Sequence, residues 1–119
     1  MIPRPRDVLR IFDLYTSPRK TKLHICVSER RQLFLRINSQ SIFKPNHLLR
    51  KSSNPYLDHD SYVELQQLVR HLSDEIREAE FLGRLTLAEA KALADAAQAA
   101  ETLPMEHKRL ITECLLEGE

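Results

Sequence analysis

Residues 22–38, KLHICVSERRQLFLRIN, decide the fold. Over residues 22–28, Leu23, Ile25 and Val27 alternate with Lys22, His24 and Cys26. Successive side chains of a strand point to opposite faces, so this spacing predicts a strand buried on its Leu23–Ile25–Val27 side. Residues 32–38 repeat the pattern, with Leu33, Leu35 and Ile37 on one face and Phe34 and Arg36 on the other. The polar link Ser28-Glu29-Arg30-Arg31 joins the two strands as a hairpin, and without Asn-Gly or Asp-Gly it specifies no turn type.

Working outward, residues 7–14 (DVLRIFDL) are rich in branched and aromatic side chains and read as a preceding strand. They lie between a Pro-containing arm and the turn cluster Thr16-Ser17-Pro18. On the other side, residues 40–54 are polar and interrupted by proline, and Asn54-Pro55 marks a turn before a further strand at 60–65, DSYVEL. No helical segment separates these strands. They are therefore expected to pair antiparallel, as a small barrel or a strongly curved sheet. Glycine is missing from this whole region, so turns that need positive φ are expected at Asn38, Asn46, Asn54 or an Asp, or are avoided.

From residue 66 onward the pattern becomes helical. Ser73 reads as an N-cap and Gly83 as the C′ stop of one helix. Thr86-Leu87-Ala88-Glu89 is a capping-box sequence, opening an alanine-rich helix over about 87–101. Pro104 starts a last helix over about 104–117, with Leu103, Leu110, Ile111, Cys114 and Leu115 on one face and Gly118 at its end. The expected fold class is α+β in one domain, 1–119, with a β-barrel part at 5–65 and a helical part at 66–119.

Composition sets the bounds. The chain has 119 residues, 42% hydrophobic and 29% charged, which suits a globular domain and excludes a low-complexity one. No apolar run nears the ~20 residues of a membrane helix, and MIPRPRDVLR has no apolar stretch of a secretory signal. Cys26 and Cys114 stand apart, without metal-ligand spacing, and read as small core residues in a reducing, cytoplasmic setting. The net charge of +1 conceals a division: residues 1–59 carry 12 Lys and Arg against 4 Asp and Glu, and residues 60–119 carry 6 against 13. Either the basic half meets nucleic-acid phosphate, or the two halves neutralise each other internally.

A family resemblance rests on five segments in order: Arg6-Asp7-Val8, residues 22–27 (KLHICV), Ile37-Asn38-Ser39-Gln40, Asp60-Ser61-Tyr62-Val63, and residues 82–89 (LGRLTLAE). Together they resemble the PemK/MazF group of toxin-like proteins over about residues 5–100. The resemblance implies an SH3-like antiparallel β-barrel followed by C-terminal helices, often as a homodimer. It further implies a metal-independent endoribonuclease that cleaves single-stranded RNA and is restrained by a cognate antitoxin. Three positions depart from the pattern: the family's Arg and Pro fall on Leu23 and His24, and its Thr falls on Asn38.

Cleavage by a 2′-hydroxyl needs a base, a cation for the phosphorane and an acid for the leaving oxygen. His24 lies on the strand face opposite the apolar residues, and an imidazole can serve as general acid or base. Lys22 shares its face, and Ser39 ends the next strand; these three are the candidate catalytic residues. Arg19, Lys20, Asn38 and Gln40 are the candidate RNA-binding residues, in loops and strand ends suited to phosphate contacts. Tyr15, Phe34 and Phe43 are rings able to stack on bases. The run Asp58-His59-Asp60 is not expected to be a metal site, because adjacent strand residues diverge. Ser61 lacks a nucleophile elbow, and His71 and His107 show no partner. No metal or cofactor is expected. Two rival readings remain: a non-cutting barrel that binds nucleic acid or protein, and a partner-binding module built on the acidic helices.

Overall fold

The computed structural model describes residues 2–13 and 18–118. The elements run β1 (Asp7–Asp13), β2 (Lys20–Ser28), β3 (Leu33–Asn38), β4 (Asn46–Leu49), a 3-10 turn (Lys51–Ser53), β5 (Ser61–Glu64), β6 (Val69–Arg70), α1 (Ser73–Arg77), β7 (Glu80–Arg84), α2 (Leu87–Ala99) and α3 (Met105–Glu117). The strands form one antiparallel sheet in the order β4-β5-β3-β2-β1-β7, with β6 also pairing β3. The sheet is not closed on itself: its order ends at β4 and β7. No helix among the described residues is long and apolar enough to cross a membrane.

The central hairpin forms as its alternation dictates. Ile25 pairs Leu35 and Leu23 pairs Ile37, placing the apolar set of both strands on one face. That face, with Val8 and Val63, is covered by Ala90, Leu93 and Ala97 of α2 and by Leu110, Ile111, Cys114 and Leu115 of α3. Alanines let α2 lie close. The opposite face is also buried: Leu9, Ile11, Cys26 and Phe34 pack under Val69 of β6 and Ile76 of α1. The sheet is thus clothed on both sides at its centre, which a one-sided alternation does not announce.

Four expectations need correction. The helix expected from Ser73 to Gly83 stops at Arg77, and Glu80–Arg84 is strand β7 on the outer edge of β1, with Val8 opposite Gly83. The segment beyond residue 66 is therefore not wholly helical. Pairing to an otherwise open β1 edge outweighs the helical propensity of this Glu- and Ala-containing stretch. Gly83 is no helix stop; it lets β7 pass beneath the Tyr56 ring. Ser73 is the first helical residue rather than the cap: its hydroxyl accepts from Gln32 Nε2 at 2.7 Å, and Glu75 Oε1 accepts the Leu72 amide at 2.7 Å. Positive φ falls at Arg6 (79°) and Gln32 (59°) and not at asparagine or aspartate. Both are clamped by backbone bonds, Arg6 to Cys26 and Leu85, Gln32 to Glu29 and His71.

Elsewhere local signals hold. Thr86 Oγ1 caps α2 by accepting the Glu89 amide at 3.1 Å. Pro104 precedes the first residue of α3, and Gly118 closes that helix at φ 83°. Leu14, Tyr15, Thr16 and Ser17, part of the expected first strand and turn, lie outside the described residues.

Candidate functional site

In an antiparallel pair, residues directly opposite share a face. The registers Asp13↔Lys20, Ile11↔Lys22, Leu9↔His24, His24↔Arg36 and Asn38↔Tyr62 therefore place Asp13, Lys22, His24, Arg36 and Asn38 on one side of the sheet. This is the side opposite α2 and α3. Its inner half is apolar, and its outer half is a chain of polar contacts. Arg36 Nε donates to Asp13 Oδ2 at 2.6 Å, and Arg36 Nη1 lies 3.7 Å from Glu64 Oε2. Asn38 Nδ2 donates to Glu64 Oε1 at 3.1 Å, and Lys22 Nζ donates to Asn38 Oδ1. His24 Nε2 lies 3.3 Å from Asp13 Oδ2 and 3.0 Å from His71 Nε2, and His71 Nδ1 lies 3.6 Å from Glu75 Oε1. Phe34 packs in T-shaped contact with both imidazoles.

Asp13, His24 and His71 are fully buried, at 0% exposure. Buried polar groups persist only when paired, so this network fixes the positions of its members. Burial, then the neighbouring His24, pushes the His71 imidazole down to about 4, against the pull of Asp13 and Glu75. Burial also lowers the Lys22 ammonium, assisted by Lys20 and Arg36 and opposed by Glu64 and Asp13.

The network reaches solvent at one end, where β2 begins and β3 finishes. There a cleft of about 270 Å³ is lined by Arg10, Lys20, Thr21, Lys22, Asn38, Ser39, Asp58, His59 and Ser61, together with Leu23, Ile37 and Leu57 from the core on the apolar face of the sheet. Of the sequence candidates it brings together Lys20, Lys22, Asn38 and Ser39. Arg19 and Gln40 are exposed but do not line it. His24 lies on the expected face, but β6 and α1 roof that face, so its imidazole is enclosed and does not meet the cleft. Phe34 is equally enclosed and Phe43 is exposed; Tyr15 lies outside the described residues.

Two histidines belong to the cleft and the network without a strong signal in the sequence. His59 supplies an exposed imidazole to the cleft. Its Nδ1 lies 3.0 Å from the Asp60 carbonyl and 3.3 Å from Ser61 Oγ. The signal was present in Asp58-His59-Asp60, weighed only as a metal cluster; the Asp60 carboxylate instead accepts the Lys51 amide at 2.8 Å. His71, 47 residues from His24, left no local signal. Three cations (Arg10, Lys20 and Lys22), one amide, three hydroxyls and an imidazole, against the single carboxylate of Asp58, suit a phosphodiester. No protein-family model and no curated protein matches the chain.

Proposed function

We propose that this chain binds single-stranded RNA in the cleft between β2, β3 and the 57–61 loop and cuts it without a metal ion, as the toxin-like member of a toxin–antitoxin pair. The observation that carries the reading is the convergence of Lys20, Lys22, Asn38, Ser39 and His59 on one concave surface. In the proposed reaction His59 accepts the 2′-hydroxyl proton and the 2′-oxygen attacks phosphorus. Lys20 and Lys22 stabilise the phosphorane. The bond to the 5′-oxygen breaks, that oxygen takes a proton from the imidazolium, and a 2′,3′-cyclic phosphate remains. Lys22, with its ammonium lowered by burial, is a stronger acid than an exposed lysine and suits a group that shares a proton with the phosphorane. Asn38 and Ser39 orient the phosphate. The same reading takes the open sheet as a variant of the SH3-like barrel, with a homodimer and an antitoxin that covers the cleft.

A second reading, binding without cutting, is favoured by Leu23 and Asn38 at the positions where the resembled family has Arg and Thr, and by the Lys22–Asn38 bond, which already engages the ammonium. The test is incubation of long single-stranded RNA with the parent, His59→Ala and Lys22→Ala, in EDTA, with circular dichroism confirming that each stays folded there. Discrete cleavage by the parent, lost in both variants, supports the nuclease. RNA retention without cleavage by any of the three selects the binding reading. Neither retention nor cleavage removes both.

A further inference from the structure

Asp13, His24 and His71 bring three donor atoms to one point inside the protein, and we infer that this point is a metal site, a structural centre for a divalent zinc-like ion. The three ligand atoms lie within 4.8 Å of one another. His24 Nε2 stands 3.0 Å from His71 Nε2 and 3.3 Å from Asp13 Oδ2. Zinc bonds imidazole nitrogen and carboxylate oxygen at about 2.0–2.2 Å, and tetrahedral ligands at that radius sit about 3.3 Å apart. The two spacings from His24 match, and a side-chain adjustment that brings Asp13 and His71 from within 4.8 Å to about that separation completes the set.

The ring orientations are those a metal needs. His24 Nδ1 lies 3.0 Å from the Lys22 carbonyl oxygen, which only accepts, so the ring proton belongs at Nδ1 and the lone pair at Nε2. His71 Nε2 faces that lone pair at 3.0 Å, so without an ion it must be the donor, and with one its proton moves to Nδ1, 3.6 Å from Glu75 Oε1. Two imidazole nitrogens and a carboxylate thus converge in the buried interior. Either a proton or a cation joins them, and the carboxylate beside them favours the greater charge of a divalent ion. The Lys22 carbonyl, the Glu75 carboxylate and Arg36 on Asp13, with Nε at 2.6 Å and Nη2 at 3.4 Å, form the outer layer that sets ligand orientation in metal centres. Arg36 is also the cation an incoming ion must share Asp13 with.

All three ligands are fully buried, out of reach of a substrate, which assigns a structural role and leaves the fourth position to an enclosed water. The ligands come from β1, β2 and the β6–α1 connection. A bound ion would therefore pin the N-terminal hairpin to a segment far along the chain and be enclosed as the protein folds. The centre is separate from the RNA cleft.

Two measurements on the whole protein test this. The first is the metal content of protein purified without chelator. The second is titration of the dialysed protein with Zn²⁺ and with Co²⁺, read by thermal midpoint and visible absorption. The expectation is one zinc per chain, a raised midpoint, and tetrahedral cobalt bands without thiolate charge transfer. These should survive in Cys26→Ser/Cys114→Ser and vanish in His71→Gln and Asp13→Asn. Should those two variants fail to fold, the parent's cobalt spectrum alone distinguishes nitrogen and oxygen ligands from sulfur. A folded parent that arrives without zinc and takes up none at micromolar concentration overturns the inference and leaves the imidazoles joined by one shared proton. A thiolate spectrum lost with the cysteines overturns it equally.

Discussion

The ring of Tyr56 lies over Gly83, in the space where a β-carbon would stand. The ring is tethered, because its hydroxyl donates to Asn54 Oδ1 at 2.8 Å and Asn54 Nδ2 donates in turn to the Arg50 carbonyl at 2.9 Å. Burial holds the phenol neutral, with its pKa raised to about 12. Gly83→Ala should therefore destabilise the fold by about 1–3 kcal/mol through overpacking. Urea unfolding of Gly83→Ala, alone and combined with Tyr56→Leu, checks this: the alanine should cost less once the ring is smaller. An equal cost in both backgrounds would place the strain elsewhere.

Arg36 serves two carboxylates, Asp13 and Glu64, on the roofed side of the sheet. Its side chain is only 13% exposed. Arg36→Met should cost about 3–5 kcal/mol, because removing one partner strands buried charge. A loss below about 1 kcal/mol in denaturant unfolding would show that water screens the pair as it does a surface bridge.

His47 of β4 is half-buried, and burial lowers its imidazole from the usual 6.5, with Glu89 of α2 pulling the other way. Above pH 6.5 the imidazole is neutral whether folded or unfolded. As pH falls below 6.5 the unfolded chain takes up a proton that the folded chain resists, so stability is lost in that direction. The thermal midpoint should drop from pH 7 toward pH 5, and His47→Asn should lessen the drop. An unchanged slope in the variant would clear His47 of any part in it.

Helix α3 belongs to the core and is no detachable module. Leu110, Ile111, Cys114 and Leu115 pack into the cluster that holds Ile25, Val27 and Leu35. Removing residues 104–119 should abolish cooperative unfolding, seen as loss of the near-ultraviolet signal and a broad melt. A sharp melt would restore the reading in which the acidic helices are a separate partner surface.

What was legible in the sequence follows from physical range. The β2–β3 alternation, the Thr86 cap and the α3 stripe are local, so spacing alone carries them. Strand β7 was not legible, because residues 80–84 favour a helix until β1 offers an edge and Tyr56 demands a glycine. Strand β4, NHLL, is short and partly polar and takes its form from β5. Among the candidate site residues, Lys20, Lys22, Asn38 and Ser39 meet because they sit at neighbouring strand ends, which pattern can suggest. The depth of His24 was hidden, since its roof comes from β6 and α1. The charge division is partly answered: Arg10 pairs Glu80 at 2.7 Å and Arg36 faces Glu64, so the two halves do neutralise each other at these points, while Lys20 and Lys22 stay on the cleft.

The pairing of β1 with β7 also sets a schedule for synthesis. Residues 7–10 find their outer neighbours only at residues 80–84, and the far cover of β2 arrives with residues 110–115. A nascent chain that has passed its first hairpin still carries a bare β1 edge and an uncovered apolar face until nearly the whole sequence has emerged. Such long-range closure slows folding and leaves the growing chain sticky. The stretch between residues 38 and 84 is thus where a translational pause would most expose this protein to a chaperone, or to a second copy of itself.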